Sequence, residues 1–297
     1  MAVASGQPTI DLREPAGWRR TKNQIATGAM WFAFACMLVP LAFVLFTVIS
    51  KGISAISWSF LTGGPIPPNV LPLGNGGMGP AVIGTLEITG FAALLAIPIG
   101  VLGAVYINEY GGKGWLARVI GFLADVMTGV PSIVMGLFIF TIWILHFGYS
   151  GLAGSFALGC LMLPVVIRSS YEMLKLVPDS LREASYALGA TKARVTVTVV
   201  LPAAVGGIVS GALLAIARAA GETAPLLFTI LTVESTNTNL FSGANTALST
   251  QIFVNAQSPF VGAEARAWGS ALTLIVIAFA LMLVARIITA RFTRYAR

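Results

Sequence analysis

The chain has 297 residues, of which 57% are hydrophobic and only 10% are charged. Soluble domains average about a quarter charged residues, so this composition excludes an ordinary soluble domain. The net charge of +7 is not clustered as a nucleic-acid-binding surface would require. The chain has two cysteines, both in apolar stretches, and one histidine, which argues against a disulfide framework or a metal cluster. The composition therefore indicates an integral membrane protein.

Six stretches are long and apolar enough to span a bilayer as helices. A span needs about 20 mostly apolar residues to cross roughly 30 Å of hydrocarbon. The sequence predicts spans at residues 28–49, 81–107, 119–147, 151–167, 203–233 and 267–288. They make up an all-α, polytopic membrane domain of residues 28–290, between an N-terminal tail of residues 1–27 and a C-terminal tail of residues 291–297.

Lys and Arg residues flank these spans unevenly. Four lie in the N-terminal tail, two between the second and third spans, five between the fourth and fifth, and four at the C-terminal end. The opposite side holds only Lys51 and Arg266. Because basic residues are retained on the cytoplasmic side, the count predicts six crossings, cytoplasmic termini and a cytoplasmic loop at residues 168–202. The basic end of the N-terminal tail is expected to lie against anionic lipid headgroups.

Within that loop, the sequence predicts a short helix that is too polar to span the membrane. Ser180 and Glu183 have the spacing of a capping box, Pro178 limits the helix at its start, and Gly189 provides a stop. One face carries a narrow stripe of small and apolar residues at helical spacing: Leu181, Ala184, Ser185 and Leu188. Two interpretations fit this stripe, a helix resting on the membrane interface and a docking element for a soluble partner.

The same segment resembles the EAA loop of ABC-importer permeases. Glu183-Ala184-Ser185 is followed at the family spacing by Gly189 and then by Val199, Leu201 and Pro202; Ser185 stands for Ala and Val199 for Ile. The resemblance implies a type I ABC importer permease whose loop forms a coupling helix on a separate ATPase. The residues expected to couple to that ATPase are Leu181, Glu183, Ala184, Ser185, Leu188 and Gly189.

An ATP site is not evident in this chain. A P-loop requires Gly-x-x-x-x-Gly-Lys-Ser/Thr, and the pair Gly112-Lys113 is followed by Gly114 instead. ATP and Mg²⁺ are therefore expected on the partner ATPase, with no cofactor in this chain and no covalent reaction catalysed by it.

The fifth predicted span contains Arg218 and Glu222, which are four residues apart and so share a helix face. From Pro202 at the predicted membrane edge, Arg218 lies about 24 Å along the helix axis, at or beyond mid-membrane. An arginine there costs on the order of 2.5–3.5 kcal/mol on insertion scales and normally marks a pathway. Its planar guanidinium fits a phosphate-like oxyanion, and the carboxylate could neutralise it when the path is empty. The alternative is a buried salt bridge that only sets helix packing.

The segment from Arg218 to Leu226 also resembles permeases of the phosphate-specific transport (Pst) system, of the PstA type. It reads Arg-Ala-Ala-Gly-Glu-Thr-Ala-Pro-Leu, and residues 129–136 and 84–86 are similar to that family as well. The resemblance implies a phosphate pathway at Arg218 and Glu222, and we include the adjacent Thr223 in it. It further implies a PstC-type permease partner, two PstB-type ATPase subunits and a PstS-type phosphate-binding protein, at a bacterial cytoplasmic membrane.

Two alternatives remain open on the sequence alone. An ABC permease for sulfate or molybdate would share the coupling pattern, so only the segment around Arg218 argues against it. A secondary transporter driven by an ion gradient often shows two matching halves, and no such repeat is evident.

Other residues within the spans give weaker signals. Gly221 and Pro225 are expected to interrupt the fifth span locally. Glu87 is expected in a solvated vestibule near the outer end of its span, and Asp125 is expected to pair with a basic loop residue, although either acid could contact substrate. Arrays of small residues in the fourth and fifth spans predict close helix packing, including a possible seam with a partner permease.

Overall fold

The computed structural model describes residues 18–64, 76–112, 114–233, 237 and 239–295, which are mainly helical and contain no strand. The helices, numbered in chain order, are α1 (Trp18–Gly52), α2 (Trp58–Thr62), α3 (Gly79–Val105), α4 (Trp115–Gly129), α5 (Ser132–Ile139), α6 (Leu145–Phe147), α7 (Gly151–Lys175), α8 (Asp179–Ala187), α9 (Lys192–Val195), α10 (Leu201–Ala220), α11 (Ala224–Thr229), α12 (Leu248–Ala256) and α13 (Val261–Tyr295). Wider π-helical turns extend α3 through Tyr106–Tyr110, join α5 to α6, and join α9 to α10. The predicted all-α fold is confirmed.

The number of spans also agrees with the prediction. Five helical stretches are long and apolar enough to cross a membrane, and a bent pair formed by α4 with α5 and α6 supplies a sixth if it is counted as one span. Both terminal helices are longer than predicted: α1 begins at Trp18 and α13 continues to Tyr295. The remaining parts of the two predicted tails, residues 1–17 and 296–297, lie outside the described residues.

The chain divides into two compact units, residues 1–47 and residues 48–297. In the first unit the described residues belong to α1, and their side chains are exposed along most of the helix. All of the functional features described below belong to the second unit.

Small residues let the helices of the second unit approach closely. A buried core joins α3, α7 and α10 through Ala92, Leu158, Met162 and Ala215, among others. The Ser155 hydroxyl donates to the Ile88 carbonyl at 3.0 Å and so ties α7 to α3. In the fifth span, a Cβ atom at Gly207 or Gly211 would collide with side chains of α7. Gly207 and Gly211 therefore allow α10 to pack closely against α7 within this chain. Close packing matters here because lipid tails provide no hydrophobic driving force between helices.

The third predicted span is not continuous. Helix α4 ends at Gly129, α5 begins at Ser132, and the two axes are bent by 106°. Val130 and Pro131 have extended backbones with ψ of 126° and 137°. Proline has no N–H group to donate within a helix and disfavours helical geometry in the residue before it. The expectation of a single helix at residues 119–147 was therefore wrong at its centre.

The fifth predicted span begins earlier and ends earlier than expected. Its helix runs from Lys192 to Ala220, and a separate short helix, α11, follows at Ala224. Pro225 cannot donate to the carbonyl of Gly221, and its ring crowds that carbonyl, so the helix is weakened at this point. The predicted interruption at Gly221 and Pro225 is confirmed, whereas the predicted span to residue 233 was wrong.

The predicted coupling loop at residues 168–202 is shorter in the structure. Helix α7 continues to Lys175 and the next spanning helix begins at Lys192, which leaves the short helix α8 between them. The predicted capping box is absent, because the N-cap is Pro178 rather than Ser180 and α8 begins without a side-chain cap. The predicted stop is confirmed: Gly189 has a φ of +80°, in the left-handed region that favours glycine.

Candidate substrate pathway and coupling surface

Arg218 and Glu222 lie on opposite sides of the break that ends α10. Arg218 is in the last turn of the helix, and its Nε atom is 3.6 Å from Oε1 of Glu222. The Arg218 side chain is 71% exposed, whereas that of Glu222 is 21% exposed. The guanidinium is therefore accessible to a mobile anion while it stays within range of its counter-charge.

A cavity of about 230 Å³ is lined by both side chains. Its wall also includes residues from the break in the third span and from the middle of α7: Thr128, Pro131, Ser132, Leu161 and Met162. Pockets for drug-sized ligands measure roughly 300–1,000 Å³, so a smaller cavity suits an inorganic ion. The structure thus brings two interrupted helices to one small, partly polar space.

Close packing holds the two interruptions together. A Cβ atom at Gly136 in α5 would lie 2.6 Å from the Cα atom of Pro225, so only glycine permits this approach of α5 to α11. From the other side, the Ser249 hydroxyl of α12 donates to the backbone carbonyl of Glu222 at 3.0 Å. A backbone carbonyl that the helix break leaves without its usual partner is satisfied in this way.

The third predicted pathway residue, Thr223, is half-buried and forms the N-cap of α11. It is the chain neighbour of Glu222 but is not among the residues that line the cavity. The structure therefore brings together Arg218 and Glu222, and places Thr223 beside them rather than in the cavity wall.

The two other intramembrane acids lie outside this cavity. Asp125 in α4 forms an ion pair with Arg168, which the structure places in the extended part of α7. Glu87 in α3 is half-buried, and its Oε2 atom is buried with no hydrogen-bond partner among the described residues. Neither residue borders the space around Arg218.

The predicted coupling helix presents its apolar stripe to the outside. Leu188 is 89% exposed and Leu181 is 45% exposed. Ala184 and Glu183 are also exposed, and Ser185 is half-buried with its hydroxyl donating to the Leu181 carbonyl. Both leucines of the stripe are thus exposed, one within the short polar helix and one just beyond its end.

Residues 96–295 match the family described as "Binding-protein-dependent transport system inner membrane component". Over 285 residues the chain is 44% identical to "Phosphate transport system permease protein PstA 1" of Mycobacterium tuberculosis, covering 94% of this chain and 91% of that one. It is 41% identical to "Phosphate transport system permease protein PstA" of Yersinia pestis, covering 95% and 98% of the two chains. The chain belongs to this PstA permease family. Both the Arg218 cavity and the coupling helix α8 lie within the matched family region.

Solved structures support the fold of a PstA-type permease. A bacterial alginate ABC transporter superposes with a TM-score of 0.64 at 15% identity, over 93% of this chain and 98% of that chain. An inward-facing MetNI methionine ABC transporter superposes with a TM-score of 0.57 at 21% identity, over 71% and 94% of the two chains. At these identities the likeness shows the ABC permease fold alone.

The sequence did not reveal one prominent ion pair of this permease. Glu109, at the end of α3, lies 2.9 Å from Arg182 in α8, and both side chains are largely buried. Burial alone would lower the pKa of Arg182, but the hydrogen bond and the charge of Glu109, together with Asp179, raise that pKa above its ordinary value. In the sequence Arg182 counts only as one of several loop cations, and no spacing rule links residues 73 positions apart.

Proposed function

We propose that this chain is the permease subunit of an ATP-driven importer of inorganic phosphate. The observation that carries the proposal is the accessible Arg218 guanidinium in a small cavity with Glu222, at the meeting point of two broken helices. The names of the PstA relatives support phosphate as the substrate. The chain forms half of the translocation pathway, and a second permease supplies the other half.

The site is suited to hold phosphate weakly. The planar guanidinium of Arg218 donates to two oxygens of a tetrahedral oxyanion. Glu222, one turn away, neutralises the arginine in the empty pathway and competes for it after the anion has entered. Passage requires binding that is favourable enough for entry and weak enough for release. Backbone groups freed at the breaks near Pro131 and Pro225 offer further polar contacts in the same region.

Three kinds of partner complete the transporter in this proposal. A PstC-type permease forms a heterodimer with this chain, two PstB-type ATPase subunits bind and hydrolyse ATP with Mg²⁺, and a PstS-type protein delivers phosphate from outside. The exposed face of α8, with Leu181 and Leu188, docks on an ATPase subunit. This chain moves phosphate and catalyses no covalent step.

The proposed location is the bacterial cytoplasmic membrane, with six crossings and both termini in the cytoplasm. The uneven distribution of Lys and Arg supports this orientation. It places α8 in the cytoplasm, where an ATPase can reach it, and the basic start of α1 near anionic lipid headgroups. Counting α4 with α5 and α6 as one bent crossing is required for this topology.

Uptake of labelled phosphate by the reconstituted complex tests this function. Proteoliposomes would contain this chain with its permease and ATPase partners, the binding protein outside and ATP inside. We expect ATP-dependent phosphate uptake that excess sulfate or molybdate does not inhibit. Inhibition by either competitor would reassign the substrate to another oxyanion, and uptake that persists without ATPase subunits would indicate an ion-gradient mechanism.

A further inference from the structure

Helix α8 is joined to the rest of the chain without burying a residue of its own. None of its nine residues is fully buried, and Leu181 and the adjoining Leu188 are exposed. Hydrophobic packing, which holds the other helices in place, therefore contributes little to the position of α8. Polar contacts therefore contribute to holding this helix against the transmembrane segments.

Arg182 provides that attachment. Its side chain is 13% exposed, and its Nη2 atom donates to Oε1 of Glu109 at 2.9 Å, where the Glu109 side chain is only 5% exposed. The same guanidinium donates to the carbonyl oxygens of Val177 at 2.6 Å and Leu174 at 3.1 Å. One side chain thus connects α8 with the ends of α3 and α7.

A second contact joins the residues that follow α8 to the end of α3. Lys192 is the first residue of α9, and its Nζ atom lies 5.2 Å from the ring centroid of Tyr110, the chain neighbour of Glu109. Asn108 donates to Oε1 of Glu109 at 2.7 Å and fixes the orientation of the carboxylate. These three neighbouring residues belong to the π-helical turn that ends α3, and such turns often occur at functional sites.

The helix that carries Glu109 packs against α10, which lines the substrate cavity. In α3, Ala92 and Ala96 share one buried core with Ala215 and Ala219 of α10. Ala219 is the chain neighbour of Arg218 and lines the cavity with it. A displacement of the inner end of α3 is therefore transmitted through close packing to the helix that holds Arg218.

We propose that Arg182 and Glu109 are positioning residues that transmit movement of α8 to α3 and so couple ATP hydrolysis to transport. This inference rests on the proposed function, in which an ATPase moves α8. Removal of either partner breaks this buried ion pair and weakens the attachment of α8. Arg182 is then left with the exposed Asp179 at 3.0 Å, and Glu109 is left with Asn108 at 2.7 Å. The apolar face that docks on the ATPase, around Leu188, is left unchanged.

The test measures the number of substrate ions imported per ATP hydrolysed in the reconstituted complex. For Arg182→Gln and for Glu109→Gln we expect this ratio to fall at least about tenfold, while ATP hydrolysis and co-purification of the ATPase persist. The conservative variant Arg182→Lys should retain part of the ratio, because it keeps the positive charge and N–H donors. Arg194→Gln is the matched control, because it removes the same charge from an exposed residue in the neighbouring helix α9.

A ratio unchanged in both single variants would overturn the proposal. Loss of the ATPase from the purified complex would also overturn it, because the pair would then serve assembly or docking rather than transmission. An equal loss of the ratio in assembled Arg182→Lys and Arg182→Gln complexes would count against the ion pair itself. If the unsubstituted complex imports a different oxyanion, the ratio is measured with that ion. An error in the proposed substrate is thereby separated from an error in the proposed role of Arg182 and Glu109.

Discussion

The Nε atom of Arg218 lies 3.6 Å from Oε1 of Glu222, although α10 ends at Ala220 between them. On an unbroken helix, two residues at this spacing would be held on one rigid face. Here Glu222 belongs to the short connection before α11, and Ser249 binds its backbone carbonyl. The two charged side chains are therefore held by different segments, Arg218 by the last turn of α10 and Glu222 by a connection whose backbone is bound to α12.

Replacement of Arg218 by alanine should abolish phosphate uptake while the complex still assembles and hydrolyses ATP. A hydrogen bond to a charged group contributes about 1.5–3 kcal/mol, which corresponds to a loss of at least about tenfold for a bidentate contact. Labelled phosphate uptake and ATPase activity would be measured on the same proteoliposomes. Arg218→Lys keeps the charge but loses the planar donor pair, so its uptake should be intermediate. Normal uptake by Arg218→Ala would refute the anion site.

Replacement of Glu222 by glutamine should make the pathway hold phosphate more tightly and release it more slowly. Glutamine retains the size of the side chain but removes the charge that competes for Arg218. We expect a lower apparent KM for phosphate together with a lower maximal uptake rate, since tight holding opposes conduction. The dependence of initial uptake on phosphate concentration would show both changes. A raised KM would instead indicate that Glu222 orients Arg218 for binding.

Much of the region around this pair was predictable from local chemistry. Gly221 and Pro225 indicate an interruption because proline lacks the N–H group that the helix needs. Pro131 has no such local signal, because it lies in a long apolar stretch whose hydropathy predicts one span, and Pro98 and Pro164 lie inside continuous helices. The cavity between the two breaks could not be predicted, because it depends on the approach of α5 to α11 across residues far apart in sequence.

Replacement of Leu188 by aspartate should remove the ATPase from the membrane complex. The side chain is 89% exposed on a helix with no buried residue, so the substitution should not unfold this chain. A charge at a docked apolar surface remains unpaired and desolvated, which opposes binding. Co-purification of the ATPase with the tagged permease would measure the effect.

The matched control for this variant is Ala187→Asp. It adds the same charge to an exposed neighbouring residue. Successive helical residues point about 100° apart, so the side chain of Ala187 is directed about 100° away from Leu188 and about 120° away from Leu181. We expect this variant to retain the ATPase. Equal retention by both variants would mean that the stripe is not the docking surface.

The coupling segment illustrates a second limit of sequence analysis. Helical spacing and Gly189 predicted the helix and its end, and these are local properties. The ion pair of Arg182 with Glu109 joins the segment to α3 across the intervening helices, and neither residue has a local pattern that selects it. Burial gives this pair its importance, and burial follows from the packing of α3, α7 and α9 around Leu174 and Val177.

Replacement of Gly136 by alanine should destabilise the protein and disturb the substrate cavity. The added Cβ atom would lie 2.6 Å from the backbone of Pro225, so α5 and α11 must move apart. Such overpacking typically costs about 1–3 kcal/mol.

Gly121→Ala in α4 is the control, because a Cβ atom there meets nothing within 4 Å and alanine favours a helix by roughly 0.5–1 kcal/mol. Thermal unfolding of the purified complex in detergent should show a lower midpoint for Gly136→Ala and an unchanged or higher one for Gly121→Ala. Equal midpoints would show that α5 and α11 can separate without cost, and that their contact does not hold the two helix breaks together.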